Sequence, residues 1–390
     1  MAEGGPKVWF PREADDETRV AATPDAVKRL IKKGFVVEIE RGAGLRASVS
    51  DEAYTRVGAT IRGASADAYA GADVIAKLNP PRARADLDGK HEADLPREGA
   101  LFVSFLWPLA NLDVVRKLRD RRVSAFAMDR IPRITRAQSM DALSSQSNLA
   151  GYKAVLLGAN ALGKIFPMMT TAAGTIRPAR VVIMGAGVAG LQALATAKRL
   201  GAVVEVSDIR PAVKEQVESL GGRFIDLPPL EGAEDAGGYA REVTPEFLKK
   251  QQEIVAARVA EADVVITTAL VPGKAAPKLV TAAMVRSMRP GSVIVDLAVE
   301  QGGNCELART GEVVVENGVT ILGHCNVPGM VPVHASEMYA KNVVFVLEPL
   351  LKDGALTLDF EDEVVAGSIV THAGEVRSED VAGKIGGPEG

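Results

Sequence analysis

Apolar positions along the chain follow two alternating rhythms. Short runs dense in Val, Ile, Leu and Phe read as strands: KVWF at 7–10, FVVEIE at 35–40, ADVIAKL at 72–78, ALFVSFL at 100–106 and VSAFAM at 123–128. Between them the spacing changes. TPDAVKRLIKKG at 23–34 sets Val27, Leu30 and Ile31 on one stripe at helical spacing. Thr23 stands at its N-cap, Pro24 at the first helical position and Gly34 at its stop. SDEAYTRVGA at 50–59 reads as a short capped helix, and Asn111 opens another. Strand, helix and strand repeated this often predict a parallel sheet covered by helices.

A long Ala/Leu/Ser pattern from Ser139 to Lys164 predicts a helix leading into a second unit of the same kind. That unit opens with RVVIMGAGVAGLQALATAKRLGAVVEVSDIR at 180–210 and continues through EADVVITTAL, GSVIVDLAV and VTILGH. ASEMYAKNVVFVLEPLLK at 335–352 is apolar enough for a helix buried over much of its surface, and LTLDFEDEVVAGSIVTHAGEV at 356–376 reads as short antiparallel strands. These closing elements can return to the first domain. The expectation is an α/β protein of two Rossmann-like domains with parallel sheets, the first discontinuous over residues 1–143 plus 336–390, the second over 144–335. LPPLEGAEDAGGYAREVT at 227–244 is too long and too rich in Gly, Pro and acids for an ordinary connection. It reads either as a disordered surface insertion or as a mobile lid.

Composition narrows the choices. A net charge of -4 gives no basic face for nucleic acid. Cys305 and Cys325 lie in no metal-ligand spacing with each other or with the four histidines, so no metal is expected and a reduced compartment is. The N-terminus lacks a secretory layout, and no apolar run reaches the roughly 18 residues of a membrane span. A soluble, cytoplasmic protein is expected.

The sharpest local signal is VVIMGAGVAG. Gly185, Gly187 and Gly190 follow an apolar strand and open a helix in G-x-G-x-x-G spacing. Such glycines allow a tight turn, backbone approach to a pyrophosphate, and close packing of helix on strand. The free N–H groups of the helix start then face the anion. Asp208 ends the next strand, where a ribose diol is bound in this type of unit. A carboxylate there repels a 2′-phosphate and favours NAD(H), although Arg210, two residues on, could accommodate one.

A second cluster is PRITRAQSMDALSSQS at 132–147, crowded with Arg, Gln, Asp and Ser and devoid of His, Cys and Lys. Gln138, Asp141 and Ser144 recur every three residues and would share one ridge at a helix start, with Arg133 reaching across. Plain capping by Ser139 or Asp141, with Arg133 and Arg136 solvated, accounts for the same residues.

Together with RVAATPDAVKRL, ITTALVPGKAAP, VDLAVEQGGNC and HCNVPGMVP, these stretches resemble the NAD(H)-binding alpha component of the proton-translocating transhydrogenases, in the superfamily of alanine dehydrogenase. The resemblance runs over nearly the whole chain. It implies a homodimer binding NAD(H) in a cleft between its domains. Hydride would pass to or from NADP(H) on a partner subunit, and the membrane-spanning partner would move the protons. This chain would then lie peripherally on the inner face of the cell membrane, with no insertion of its own. The resemblance puts Arg133, Gln138, Asp141 and Ser144 at the nicotinamide, with Tyr239 closing from the 227–244 segment beside Gly238. It adds Val188, Ile209 and Leu270 to Gly185, Gly187, Gly190, Asp208 and Arg210 as cofactor-binding residues.

Alanine dehydrogenase must move a proton as well as a hydride. The place of its histidine falls on Leu106, its basic pair on Arg19 and Lys77, and its aspartate on Glu300. The pair reads as structural ion pairs. Transfer between two nicotinamides exchanges no proton at either carbon, so neutral hydrogen-bonding groups suffice. Two other readings stand beside this one: an alanine-dehydrogenase-like amino-acid oxidoreductase, and a non-catalytic NAD-binding module.

Overall fold

In the computed structural model, residues 4–227, 244–271 and 274–385 are described. The chain divides into two compact units, residues 1–146 with 331–390, and residues 147–330. Each is built on a parallel-dominated sheet.

In the first unit eight strands lie in the order Thr60–Arg62, Val36–Glu40, Lys7–Phe10, Val74–Ala76, Leu101–Ser104, Ser124–Ala127, Ile369–His372 and Glu375–Val376. The first six are parallel, and the last two add an antiparallel edge from the far end of the chain. In the second unit the order is Arg223–Phe224, Val203–Ser207, Arg180–Met184, Val264–Thr267, Val293–Asp296, Val319–Leu322 and Val313–Glu316, with only the last antiparallel. The connection order reverses beside each unit's first strand. In open α/β sheets such a switch point is where a crevice forms at the carboxyl ends of the strands.

The strands are apolar throughout because helices cover both faces. Val181 and Ile183 point into one core while Val182 and Met184 point into another, and Val8 and Phe10 alternate with Trp9 in the same way. The helix Pro24–Lys33 buries Val27 and Leu30 and ends on Gly34, whose φ of 108° suits a residue without a Cβ.

The structure departs from the sequence expectations at four places. The long helix is Ala142–Ala161, shorter at both ends than the Ala/Leu/Ser pattern. The 356–376 tail holds a helix, Glu363–Ser368, because the Asp362 carboxylate caps Val364 and Val365. Two elements went unread: the hairpin Met169–Thr171 with Gly174–Ile176, and the antiparallel strand Val313–Glu316. Asn111 does stand at a helix N-cap, but its side chain turns back to the carbonyls of Leu106 and Trp107.

Candidate functional site

The glycine turn of the second unit leaves the strand Arg180–Met184 and enters the helix Val188–Arg199. Gly185 has a φ of 107°, open to glycine and strained for other residues. A Cβ on Gly190 would lie 1.8 Å from the Gly185 carbonyl oxygen, so helix and turn pack backbone to backbone. Gly187 differs. Its φ of -76° suits any residue, and a Cβ there would meet nothing within 4 Å. Open space therefore lies beside Gly187 at the start of a twelve-residue helix that no side chain caps. A pyrophosphate fits that space, on free N–H groups and the positive end of the helix. Val188 and Gly190 are the first and third residues of that helix.

Around this turn a supporting layer went unassigned from sequence. Thr268 donates its hydroxyl to the carbonyls of Met184 and Gly185, at 3.3 and 3.1 Å. Buried Asn304 accepts from the Ala269 N–H at 3.0 Å and donates to the carbonyls of Ala269 and Pro277, which fixes the chain just before Leu270. Leu270 itself is half-buried. Asn304 sits within VDLAVEQGGNC, and a buried side chain that can both donate and accept was the available clue.

Asp208 ends the strand Val203–Ser207 and is nearly buried. Its Oδ2 accepts the Ala186 N–H at 2.6 Å and Arg210 Nη2 at 2.9 Å, while its Oδ1 accepts Arg210 N and Nε, both at 2.9 Å. A carboxylate has about four acceptor positions, and four donors fill them here. The expected diol acceptor therefore also staples the glycine turn, and a ribose hydroxyl must displace part of the Arg210 fork. Ile209 lies between them, half-buried.

The polar segment lies in the first unit, and the expected single ridge is absent. Thr135–Ala137 forms a 3₁₀ turn that ends on Gln138, and the α-helix begins four residues later. Asp141 is the N-cap of that helix: its Oδ1 accepts the Ser144 N–H at 2.9 Å and its Oδ2 accepts the Ser144 hydroxyl at 2.6 Å. Capping thus accounts for Asp141, and it spends the Ser144 proton inward, leaving that oxygen's lone pairs as acceptors. Arg133 and Gln138 are exposed. Arg136 is held in a two-pronged ion pair with Asp362, at 3.0 and 2.7 Å. Gly238 and Tyr239 lie outside the described residues.

The basic residues Arg19 and Lys77 are both closed. Lys77 is 0% exposed, with its Nζ 2.6 Å from Glu92 and 3.7 Å from Glu13. Arg19 binds both oxygens of Glu17 at 2.8 Å and the Gln146 side-chain oxygen at 2.9 Å. Burial pushes the Glu13 carboxyl up despite Lys77. Burial alone would raise Glu17 too, but the Arg19 guanidinium and N–H outweigh it and hold that carboxyl below its ordinary value. Glu300 accepts the Asn326 N–H at 3.1 Å. Leu106 is fully buried in an apolar cluster. Among the described residues no group of His, Cys, Asp and Glu could hold a metal ion, and no helix is long and apolar enough to cross a membrane.

Residues 9–150 match the family described as alanine dehydrogenase/PNT, N-terminal domain, and residues 154–379 match its C-terminal domain. The chain is 52% identical over 375 residues to the first of the separately encoded portions of the NAD(P) transhydrogenase subunit alpha of Rhodospirillum rubrum, covering 95% of this chain and 97% of that one. A solved transhydrogenase from Sinorhizobium meliloti superposes with a TM-score of 0.82 at 43% identity, over 96% of this chain and 99% of that one. A solved L-alanine dehydrogenase gives 0.80 at 28% identity, over 97% and 98%.

Proposed function

The chain belongs to the alanine dehydrogenase/PNT family, and from that membership we propose that it is the NAD(H)-binding alpha subunit of a proton-translocating transhydrogenase. It exchanges hydride with NADP(H) held by a partner subunit. The bound nicotinamide supplies the hydride chemistry. The second unit binds the pyrophosphate at the Gly185–Gly190 turn and the adenosine diol at Asp208, with Val188, Ile209, Arg210, Gly238 and Leu270 lining that end. Arg133, Gln138, Asp141 and Ser144 orient the nicotinamide, and Tyr239 closes over it.

The observation that carries the choice of acceptor is the proton-poor make-up of the nicotinamide segment. Residues 129–147 contain no His, Cys or Lys, and the one carboxylate in the helix cap, Asp141, is engaged by Ser144. These residues bind and aim without exchanging a proton. An amino-acid oxidoreductase needs an acid/base where buried Leu106 stands, and a cation for the substrate carboxylate where Arg19 and Lys77 are already paired with glutamates.

Homodimerisation belongs to the same reading. Among the described residues the hairpin Met169–Thr171 with Gly174–Ile176 pairs only with itself. It leaves Met168, Met169 and Ile176 exposed, apolar surface that a second copy would cover. Peripheral attachment to the membrane follows from the partner subunits.

The test is Gln138→Ala in the full chain, assayed for NADH binding and for hydride transfer to an NADP analogue with the NADP(H)-binding partner. Transfer should slow by about tenfold or more while NADH affinity changes by less than about threefold, since the lost contact orients the ring. An unchanged rate removes Gln138 from the site. Turnover of pyruvate and ammonia without the partner overturns the reading.

A further inference from the structure

The strand Leu101–Ser104 runs into Phe105, Leu106, Trp107 and Pro108, and the backbone there is unusual. Trp107 has a φ of 45°, in the left-handed region that a bulky side chain avoids, and it precedes a proline, which restricts it further. Such a conformation persists only where surrounding groups over-determine it. They do so here. The Asp129 carboxylate accepts the Leu106 N–H at 2.7 Å and the Trp107 N–H at 3.2 Å. The Asn111 amide donates to the Leu106 and Trp107 carbonyls at 2.9 and 3.2 Å, giving up its own helix-capping role to do so. Phe105 stacks on the indole at 5.6 Å and 24°, and is itself backed by Tyr339 at 5.2 Å.

This bracing yields no buried contact for the indole, which is 42% exposed. The chain's other tryptophan, Trp9, is fully buried. A rigid aromatic face is thus presented to solvent at the carboxyl end of a parallel sheet, the end at which open α/β sheets bind ligands. Asp129, which holds it, also begins the segment that carries Arg133 and Gln138.

We propose that Trp107 is a further cofactor-binding residue, its indole lying against the nicotinamide ring, and that Asp129 is the positioning residue that fixes it. This rests on the reading that Arg133 and Gln138 serve the nicotinamide end. An indole face attracts a cationic ring more than a neutral one. The oxidised ring carries the positive charge and the reduced ring does not, so Trp107 favours NAD+ over NADH and sets their relative affinity.

Equilibrium binding of NAD+, NADH and ADP-ribose to the full chain with Trp107→Leu or Trp107→Phe tests this. The leucine variant should weaken NAD+ by about two- to fivefold more than NADH and leave ADP-ribose unchanged, with phenylalanine restoring part of the difference. Equal loss for all three ligands, or no loss for any, overturns the proposal. Acrylamide quenching of the unmodified chain guards against a variant that misfolds, because only Trp107 is accessible to the quencher. NAD+ should shield it and ADP-ribose should not; equal quenching with both ligands overturns the proposal. Failure of the unmodified chain to bind NAD+ or NADH at all would instead sink the proposed function.

Discussion

The two units share a strand order in their first six strands yet use it differently. The first buries charge. Lys77, Arg84, Glu13, Glu40 and Glu92 are all nearly inaccessible, and Arg84 alone reaches Glu40, Glu92 and the Tyr69 hydroxyl. The second unit spends its precision on backbone: a glycine turn where a single added carbon either collides or hangs in open space. One topology therefore supports two unrelated solutions, so function has to be read from the side chains each sheet carries. In the first unit the strongest cations are structural, and ligand chemistry falls to exposed neutral groups. In the second the ligand surface is the main chain itself.

The largest effect should come from breaking a buried pair. Lys77→Met leaves Glu92 and Glu13 without their cation and should cost about 3–5 kcal/mol by denaturant unfolding, with little change in NADH affinity for the folded fraction. A loss under about 1 kcal/mol would mean the network is wet and mobile rather than structural. Next, Gly190→Ala places a Cβ 1.8 Å from the Gly185 oxygen and should destabilise the second unit by about 1–3 kcal/mol or more. Gly187→Ala sharpens the contrast. The alanine has room in the free protein, so stability should hold while NADH binding weakens by about tenfold or more, on the order of 1.4 kcal/mol. Parallel losses in both variants would show that the spacing serves packing alone.

The smallest effect is a pH dependence. Glu17 has its carboxyl held below the ordinary value near about 4.3. Its pairing with Arg19 therefore contributes stability above that value and loses it as pH falls through the lower folded value. Glu13 acts in the opposite sense, since its raised carboxyl opposes folding once ionised. Acid unfolding should steepen only below about pH 4, and Glu17→Gln should flatten that limb while lowering stability at neutral pH.

What was legible in the sequence is what local rules enforce. Gly185, Gly187 and Gly190 between an apolar strand and an Ala/Leu helix can hardly fold otherwise, and alternating strand and helix patterns follow from burying both sheet faces. The segment 132–147 was harder. Three-residue spacing suggested one ridge, but whether a helix has begun by Gln138 depends on which group caps it, and Asp141 does so three residues later. The helix Glu363–Ser368 was missed for the same reason, because two valines beside one acid fit a strand as well until Asp362 is seen to cap them. Partners across long separations were out of reach. Nothing local shows that Arg84 meets Glu40, or that Asp208 would be filled by Arg210 and by an amide 22 residues upstream.

Hydride transfer without help from a titrating side chain of this subunit is the central claim. Single-turnover transfer between NADH on this chain and an NADP analogue on the partner, followed from pH 6 to pH 9, measures this directly. The rate should vary by no more than about twofold across that range. A rate that changes tenfold per pH unit on either side, tracking one ionisation lost when a residue of this chain is replaced, would contradict it.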